Sequence, residues 1–268
     1  MNCIFCGKKL DGSEEHIIPF ALGGNLTSKN IICSQTNNAL GKLVDIVSVE
    51  IKDILKLRGY DFPKRKGGKE RKMELTSILE LGKNRISIPI LFDPHTKKMQ
   101  LAHPVVQENY MVSDSASSLN KIMGKRAIKR TPEEIVLSTH YKYNVQIDLI
   151  KLMMEALKIH CELAVEHKNV CVNNLKAPIK LVEDYLEKKE IKNDRLSRYV
   201  SLCSQEEKNN KFSSNSVQVF TYYVNGWYVS VISFFGIFIF EVHSSKNDGR
   251  ADKQLDFIES KRLLPNIG

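Results

Sequence analysis

Leu40, Leu43, Val44, Val47, Ile51, Ile54 and Leu55 return every three or four positions, which predicts one amphipathic helix over residues 38–57 that stops at Arg58-Gly59. The same period in Ile147, Ile150, Met154, Leu157 and Cys161 predicts a longer helix over 143–165, the core of a second domain. Met153 and Met154 read as packing there, and His160 is assigned no chemistry. A shorter helix is expected over 178–189, followed by a polar, loop-like stretch over 188–211. Two further helices are expected, one over 115–130 and one opening at Thr131-Pro132. Elsewhere the pattern is that of strands. Residues 86–92 and 100–106 are β-like and flank a turn at Asp93-Pro94-His95. Residues 217–224 and 227–232 flank Asn225-Gly226, the dipeptide of a type I′ hairpin. Residues 234–242 supply another strand or two around Gly236, and the tail has a short helical stretch near Leu255 and Ile258.

Near the N-terminus, Ile17, Ile18 and Phe20 favour an extended backbone, and Pro19 marks a strand end. Leu22-Gly23-Gly24-Asn25 is a turn, and residues 30–33 are the expected return strand. The beginning of the chain therefore reads hairpin, then helix. The fold class is α+β, with a C-terminal antiparallel sheet.

Charge narrows the set of partners. The net charge is +9 over 268 residues, and the pI near 9.1 favours a polyanion. Residues 56–72 carry eight cations, among them Lys64, Arg65, Lys66, Lys69, Arg71 and Lys72, against Asp61 and Glu70. A loop of this kind grips a phosphate backbone without reading sequence, or else serves as a solvated linker. Lys121, Lys125, Arg126, Lys129 and Arg130 form a second basic stripe. Six cysteines spread through the chain fit a reducing compartment better than a disulfide scaffold. The apolar run 228–240 is too short and too aromatic to span a membrane, and no signal peptide is expected. The expectation is a cytoplasmic, bacterial protein with no membrane partner.

Candidate chemistry gathers in the first forty-odd residues. Cys3 and Cys6 are spaced as a metal knuckle, followed by Gly7. The matching pair would be completed at position 36, where Thr36 follows Cys33, and a neutral hydroxyl is a poor zinc ligand. A distant His or Asp, or a water, completes a zinc shell here, or Cys3, Cys6 and Cys33 pack as reduced thiols. His95 and His103 have no partner at ligand spacing and read as structural.

Cys3-Ile4-Phe5-Cys6, Glu15-His16-Ile17-Ile18-Pro19, Leu22-Gly23-Gly24, Asn30 and Cys33 to Asn38, in this order and at these intervals, resemble the HNH (ββα-metal) endonucleases over residues 1–45. The resemblance implies metal-dependent hydrolysis of phosphodiesters, with DNA as substrate and restriction or phage defence as typical roles. His16 would be the general base, a role that suits a neutral imidazole. Glu15 would hold Mg²⁺ or Mn²⁺ together with Asn37, Asn38 being the alternative ligand, and Asn30 would brace the loop around the histidine. The implied organisation is a nuclease module over 1–58, a basic linker over 59–75, and an α+β domain of unknown function over 76–268. That last domain would recognise substrate or gate the nuclease in response to a protein or small ligand. A protein partner or a homo-oligomer is compatible with all of this. The rival reading is a non-catalytic zinc-knuckle protein that binds nucleic acid without cutting it.

Overall fold

The computed structural model describes residues 1–57, 60, 62, 72–81, 84–93, 96, 98–107, 110–113, 141–142, 147–167, 170, 172–204, 212–244 and 253–262. The chain is α+β, with a ββα module at its start and an antiparallel sheet at its end. By contact it divides into one unit built from residues 1–63 and 147–268, and a second built from 64–146. The linear division at 58 and 75 expected from the sequence cuts elsewhere, because the N-terminal module shares its hydrophobic core with the C-terminal half. Phe5, Ile17, Ile18 and Ile51 belong to the same buried cluster as Leu152, Leu157, Val219 and Phe240.

In the first unit, strand β1 (Glu15–His16) pairs antiparallel with β2 (Thr27–Ser28), Glu15 opposite Ser28 and His16 opposite Thr27. The return strand thus lies earlier than the expected residues 30–33. Ile31 and Ile32 are buried in the core instead, and Ile4 donates its backbone N–H to Ile31 O at 3.0 Å. Between the strands, Pro19 opens a 3₁₀ turn over Phe20–Leu22, closed by Gly23 at φ 85°. Gly24 follows so close to the preceding chain that an added Cβ would lie 1.7 Å from Ile18 O.

Helix α1 (Ser34–Leu43) and helix α2 (Ile46–Leu57) replace the single helix expected over 38–57. The apolar period runs unbroken through the joint at Val44-Asp45, with Val44 and Val47 both buried, so the pattern alone could not reveal the break. At the joint Val44 N and Asp45 N both donate to Leu40 O, and Val47 N donates to Val44 O, so the regular helical ladder is broken there.

The second unit holds β3 (Met73–Leu81), β4 (Asn84–Asp93), β5 (Lys98–Leu101), β6 (Val105–Gln107), β7 (Tyr110–Val112) and β8 (Tyr141–Lys142). Its main sheet has the order β5-β4-β3-β8, and β6 pairs with β7. Lys72 is exposed just before β3. Lys64, Arg65, Lys66, Lys69, Arg71, His95 and the helices expected over 115–130 and after Thr131 lie outside the described residues.

The first unit resumes with helix α3 (Leu149–Glu166), capped by Asp148, whose side chain accepts from Lys151 N at 3.2 Å. Helix α4 (Lys176–Lys188) and the short α5 (Asn193–Leu196) follow. The stretch expected to be a loop contains α5 and an edge strand, β9 (Val200–Cys203). Strands β10 (Val217–Val224), β11 (Trp227–Phe234), β12 (Phe238–His243) and β13 (Lys253–Glu259) complete a sheet of order β13-β10-β11-β12-β9. The β10–β11 turn has Asn225 at φ 49° and Gly226 at φ 79°, the two positive angles a type I′ turn needs. The tail expected to be helical is strand β13. Its Phe257 lies beside Phe220 of β10, ring centroids 4.6 Å apart, so the edge of an existing sheet overrides a short helical period.

Helix α3 is central to this unit and is buried on every side from Leu152 to Ala164. On the side facing the sheet, His160 Nδ1 is 2.7 Å from Ser230 Oγ, and its ring is 5.0 Å from that of Tyr228. Another face, stepping through Glu155, Lys158, Glu162 and Glu166, carries the groups that meet the N-terminal module. Beyond β13, Lys261 donates its N–H to Gly23 O at 3.0 Å and so ties the tail to the same module. Among the described residues, no helix is long and apolar enough to cross a membrane.

Gly24→Ala tests the turn beneath His16. A Cβ 1.7 Å from a backbone oxygen cannot be relieved by a side-chain rotation. The variant should lose at least about 3 kcal/mol of unfolding free energy in urea titration, at the upper end of what single substitutions cost.

Candidate active site

The knuckle is a tight hairpin in which Asn2 bridges Lys9, Cys3 N donates to Lys8 O at 2.7 Å, and Gly7 turns the chain at φ 68°. It brings Cys3 and Cys6 to Cys33, which stands immediately before α1. The three sulfurs lie within 4.8 Å of one another. Cys6 and Cys33 are 3.6 Å apart, against the roughly 3.8 Å expected between thiolates sharing one tetrahedral zinc. Thr36 Oγ1 is 3.3 Å from Cys3 Sγ and 3.5 Å from Cys33 Sγ, so the threonine hydroxyl stands at the fourth corner. Among the described residues no His, Asp or Glu joins the three thiols. The cluster fits a metal ion.

Burial opposes ionisation of Cys33, but the Thr36 hydroxyl, the Thr36 N–H and the neighbouring thiols outweigh it and bring this thiol down to about 7. For Cys6 burial prevails and pushes the thiol up. Three thiols and one hydroxyl make a shell weaker than four thiolates but adequate for a thiophilic ion.

Glu15 and His16 sit side by side on β1, and Asn37 lies in the first turn of α1. The Asn37 amide nitrogen donates to Ser13 Oγ at 3.2 Å and to Glu14 O at 3.0 Å. That clamps the start of the helix to the strand one residue before Glu15. Asp11 braces the same helix end, its carboxylate accepting from Ser34 N at 3.1 Å. His16 is half-buried, with its ring edge-on to Phe20 at 5.5 Å. Asn38 is exposed further along the first turn of α1. Asn30 is exposed after β2 and engages the loop through its backbone N–H, which donates to Ser28 Oγ at 3.1 Å.

The sequence reading missed the groups behind this strand. Glu15 is only 3 % exposed, and its Oε1 is 2.6 Å from Nζ of Lys158 on α3. The same ammonium, with no solvent exposure at all, is 3.1 Å from Asp45 Oδ1 at the α1–α2 joint and 3.8 Å from Glu155 Oε1. Burial alone would lower the Lys158 pKa, and the surrounding Asp45, Glu162, Glu155 and Glu15 raise it well above the ordinary value instead. Burial also raises the Glu15 carboxyl, with Lys158 working against that rise. Glu155 and Glu162 are fully buried and are pushed well above the usual carboxylate range by desolvation. Ser28 Oγ donates to Glu166 Oε2 at 2.6 Å, a second polar link between the hairpin and α3. Nothing in the local pattern of 155–166 marks these residues except charges falling on an otherwise apolar helix face, which is the one signal that could have found them.

A carboxylate and an amide oxygen are the donor set of a hard divalent cation. Glu15 offers the carboxylate, with Oε1 engaged by Lys158, and Asn37 offers the amide.

Two outcomes follow from these environments. Thr36→Cys supplies a fourth thiolate, and zinc should be held at least about tenfold more tightly than in the wild type in competition with a chromophoric chelator. Glu155 and Glu162 keep their protons to higher pH when folded than when unfolded. Their stabilisation is therefore complete below about pH 4.3 and is lost as pH rises towards the folded values. Glu155→Gln with Glu162→Gln should flatten the fall in unfolding free energy between pH 5 and pH 8. The slope removed is at most about 1.4 kcal/mol per pH unit for each carboxyl, read by urea denaturation at several pH values.

No curated protein and no solved structure matches the chain. The knuckle, the hairpin and the start of the helix do match a known family, which implies a nucleic-acid substrate and metal dependence for this part of the chain. Residues 3–49 match the HNH endonuclease family.

Proposed function

We propose that the protein is a metal-dependent endonuclease that hydrolyses phosphodiester bonds in DNA, with residues 1–58 supplying the nuclease site. Restriction or phage defence is the role that accords with this activity. The reading is supported above all by one arrangement within the matched segment. Asn37 of α1 is hydrogen-bonded to the backbone beside Glu15-His16, so that imidazole, carboxylate and amide belong to one clamped hairpin–helix corner.

His16 accepts the proton of the attacking water as its oxygen bonds to phosphorus and the bond from phosphorus to the leaving oxygen breaks. Phe20, edge-on to the imidazole, restricts the ring, and the pairing of His16 with Thr27 fixes the backbone that carries it. Glu15 and Asn37 would hold Mg²⁺ or Mn²⁺, which when bound supplies charge neutralisation at the phosphate and the leaving oxygen. Cys3, Cys6 and Cys33, with Thr36 beside them, would hold Zn²⁺ and lock the knuckle against α1. Lys64, Arg65, Lys66, Lys69, Arg71 and Lys72 would hold the strand by its phosphates.

A second reading, a zinc-knuckle protein that binds nucleic acid without cutting it, is favoured by the commitment of Glu15 to Lys158. Plasmid nicking in Mg²⁺ or Mn²⁺ separates the two. His16→Ala should lower the cleavage rate at least about a hundredfold, the ordinary scale of general base catalysis, with the far-UV spectrum unchanged. Cleavage unaffected by that substitution removes His16 from the mechanism. A wild-type protein that binds DNA but cuts it with neither metal is the binder.

A further inference from the structure

The ammonium of Lys158 is the least economical group in the first unit. It has no solvent exposure, and the carboxyl groups of Glu15, Asp45 and Glu155 stand within 4 Å of it. A buried ion cluster of this kind is poor evidence of stabilisation, since an apolar side chain of similar volume often serves stability as well or better. What an apolar residue cannot do is set the direction of a carboxylate. The 2.6 Å contact with Glu15 Oε1 is a short charge-assisted hydrogen bond, and it fixes that side chain in an environment almost closed to water.

The second contact matters for a different reason. Asp45 ends the joint between α1 and α2, and α1 begins with Asn37, whose amide is tied to Glu14 O next to Glu15. The links close a ring: Lys158 to Glu15, Glu15 through the adjoining Glu14 carbonyl to Asn37, Asn37 along α1 to Asp45, and Asp45 back to Lys158. One amine on a helix more than a hundred residues downstream thus bears on both oxygen donors assigned above to the divalent ion.

We infer that Lys158 is the positioning residue of the nuclease site: it holds Glu15 and, through Asp45 and α1, Asn37 in the mutual arrangement that binds the divalent cation. The inference rests on the reading of Glu15 and Asn37 as metal ligands. It makes helix α3 a constituent of the site, so residues 147–166 complete a centre whose recognisable motif ends at residue 49. It also carries a sign. By charge alone, deleting a cation beside a ligand would tighten divalent-metal binding. Loss of positioning loosens it, on the scale of ten- to a hundredfold seen for outer-shell partners of metal ligands.

The experiment uses the full chain and Mn²⁺ as probe, comparing wild type, Lys158→Met, Glu15→Gln and the double variant. Mn²⁺ affinity is read by electron paramagnetic resonance, cleavage is titrated against Mn²⁺, and zinc content and far-UV spectra serve as controls on folding. Lys158→Met should bind Mn²⁺ at least about tenfold more weakly and need correspondingly more Mn²⁺ for half-maximal cleavage, with zinc content unchanged. The double variant should bind no worse than Glu15→Gln, because Lys158 acts through that carboxylate. Equal or tighter Mn²⁺ binding in Lys158→Met, or a double variant showing the full sum of both losses, overturns the inference. If Lys158→Met fails to fold because Glu15 is left stranded, adding Glu15→Gln should restore folding; persistent unfolding assigns Lys158 a purely architectural role and overturns it as well. Wild-type protein that binds Mn²⁺ through Glu15 but cleaves nothing strikes only the nuclease reading, and the affinities still decide on Lys158. Wild-type protein that binds no Mn²⁺ removes both.

Discussion

A buried ammonium, that of Lys158, joins the N-terminal module to helix α3. Its partners come from β1, from the α1–α2 joint and from its own helix, and the links from Ser28 to Glu166 and from Lys261 to Gly23 run in the same direction. Charges removed from water are tolerated only when their partners are placed with care, since each bears a desolvation penalty of several kcal/mol. Accurate placement of the N-terminal hairpin on α3 is therefore a condition of folding, and the hairpin carries Glu15 and His16. Fold and site are constrained by the same contacts.

The apolar core repeats this pattern on a larger scale. The side chains beneath the hairpin, Ile17, Ile18 and Leu22, are buried in one cluster with residues of α3, α4 and the C-terminal sheet. A hairpin of two residues per strand, with two helices of 10 and 12 residues, has little surface of its own to bury. It becomes well packed because α3 and the sheet supply the rest. Residues 64–146 form their own compact unit, which in sequence separates the two stretches that make up the first.

The knuckle departs from a full set of four thiolates in a way the geometry accommodates. Thr36 stands close to two of the sulfurs, and its hydroxyl helps bring Cys33 down to about 7. A thiol of that acidity gives up its proton readily near neutrality, as a metal-binding thiol must. The knuckle also seats the start of α1, since Cys33 precedes the helix and Asp11 accepts from the Ser34 N–H, and this end of α1 presents Asn37.

Much of this was legible from local pattern. The alternation around Asn225-Gly226 determined a hairpin, because two positive φ angles in succession suit few other dipeptides. The spacing of Cys3, Cys6, Cys33, Glu15-His16 and Asn37 determined the segment that matches the HNH endonuclease family. The helix of residues 149–166 was visible in its period, as was the α+β class. The structure alone revealed that α1 and α2 are separate, since the break at Val44-Asp45 leaves the apolar period intact, and it alone brought Asp45 to an amine 113 positions away. It alone turned the tail into a strand, because the open edge of β10 outweighs a weak helical pattern. It alone placed Glu155, Lys158 and Glu162 behind the candidate site, for a charged side chain on an apolar face does not announce its partner until the chain has closed around it. Local sequence specifies what each segment prefers; the pairing of buried charges depends on which distant segments meet, and folding supplies that.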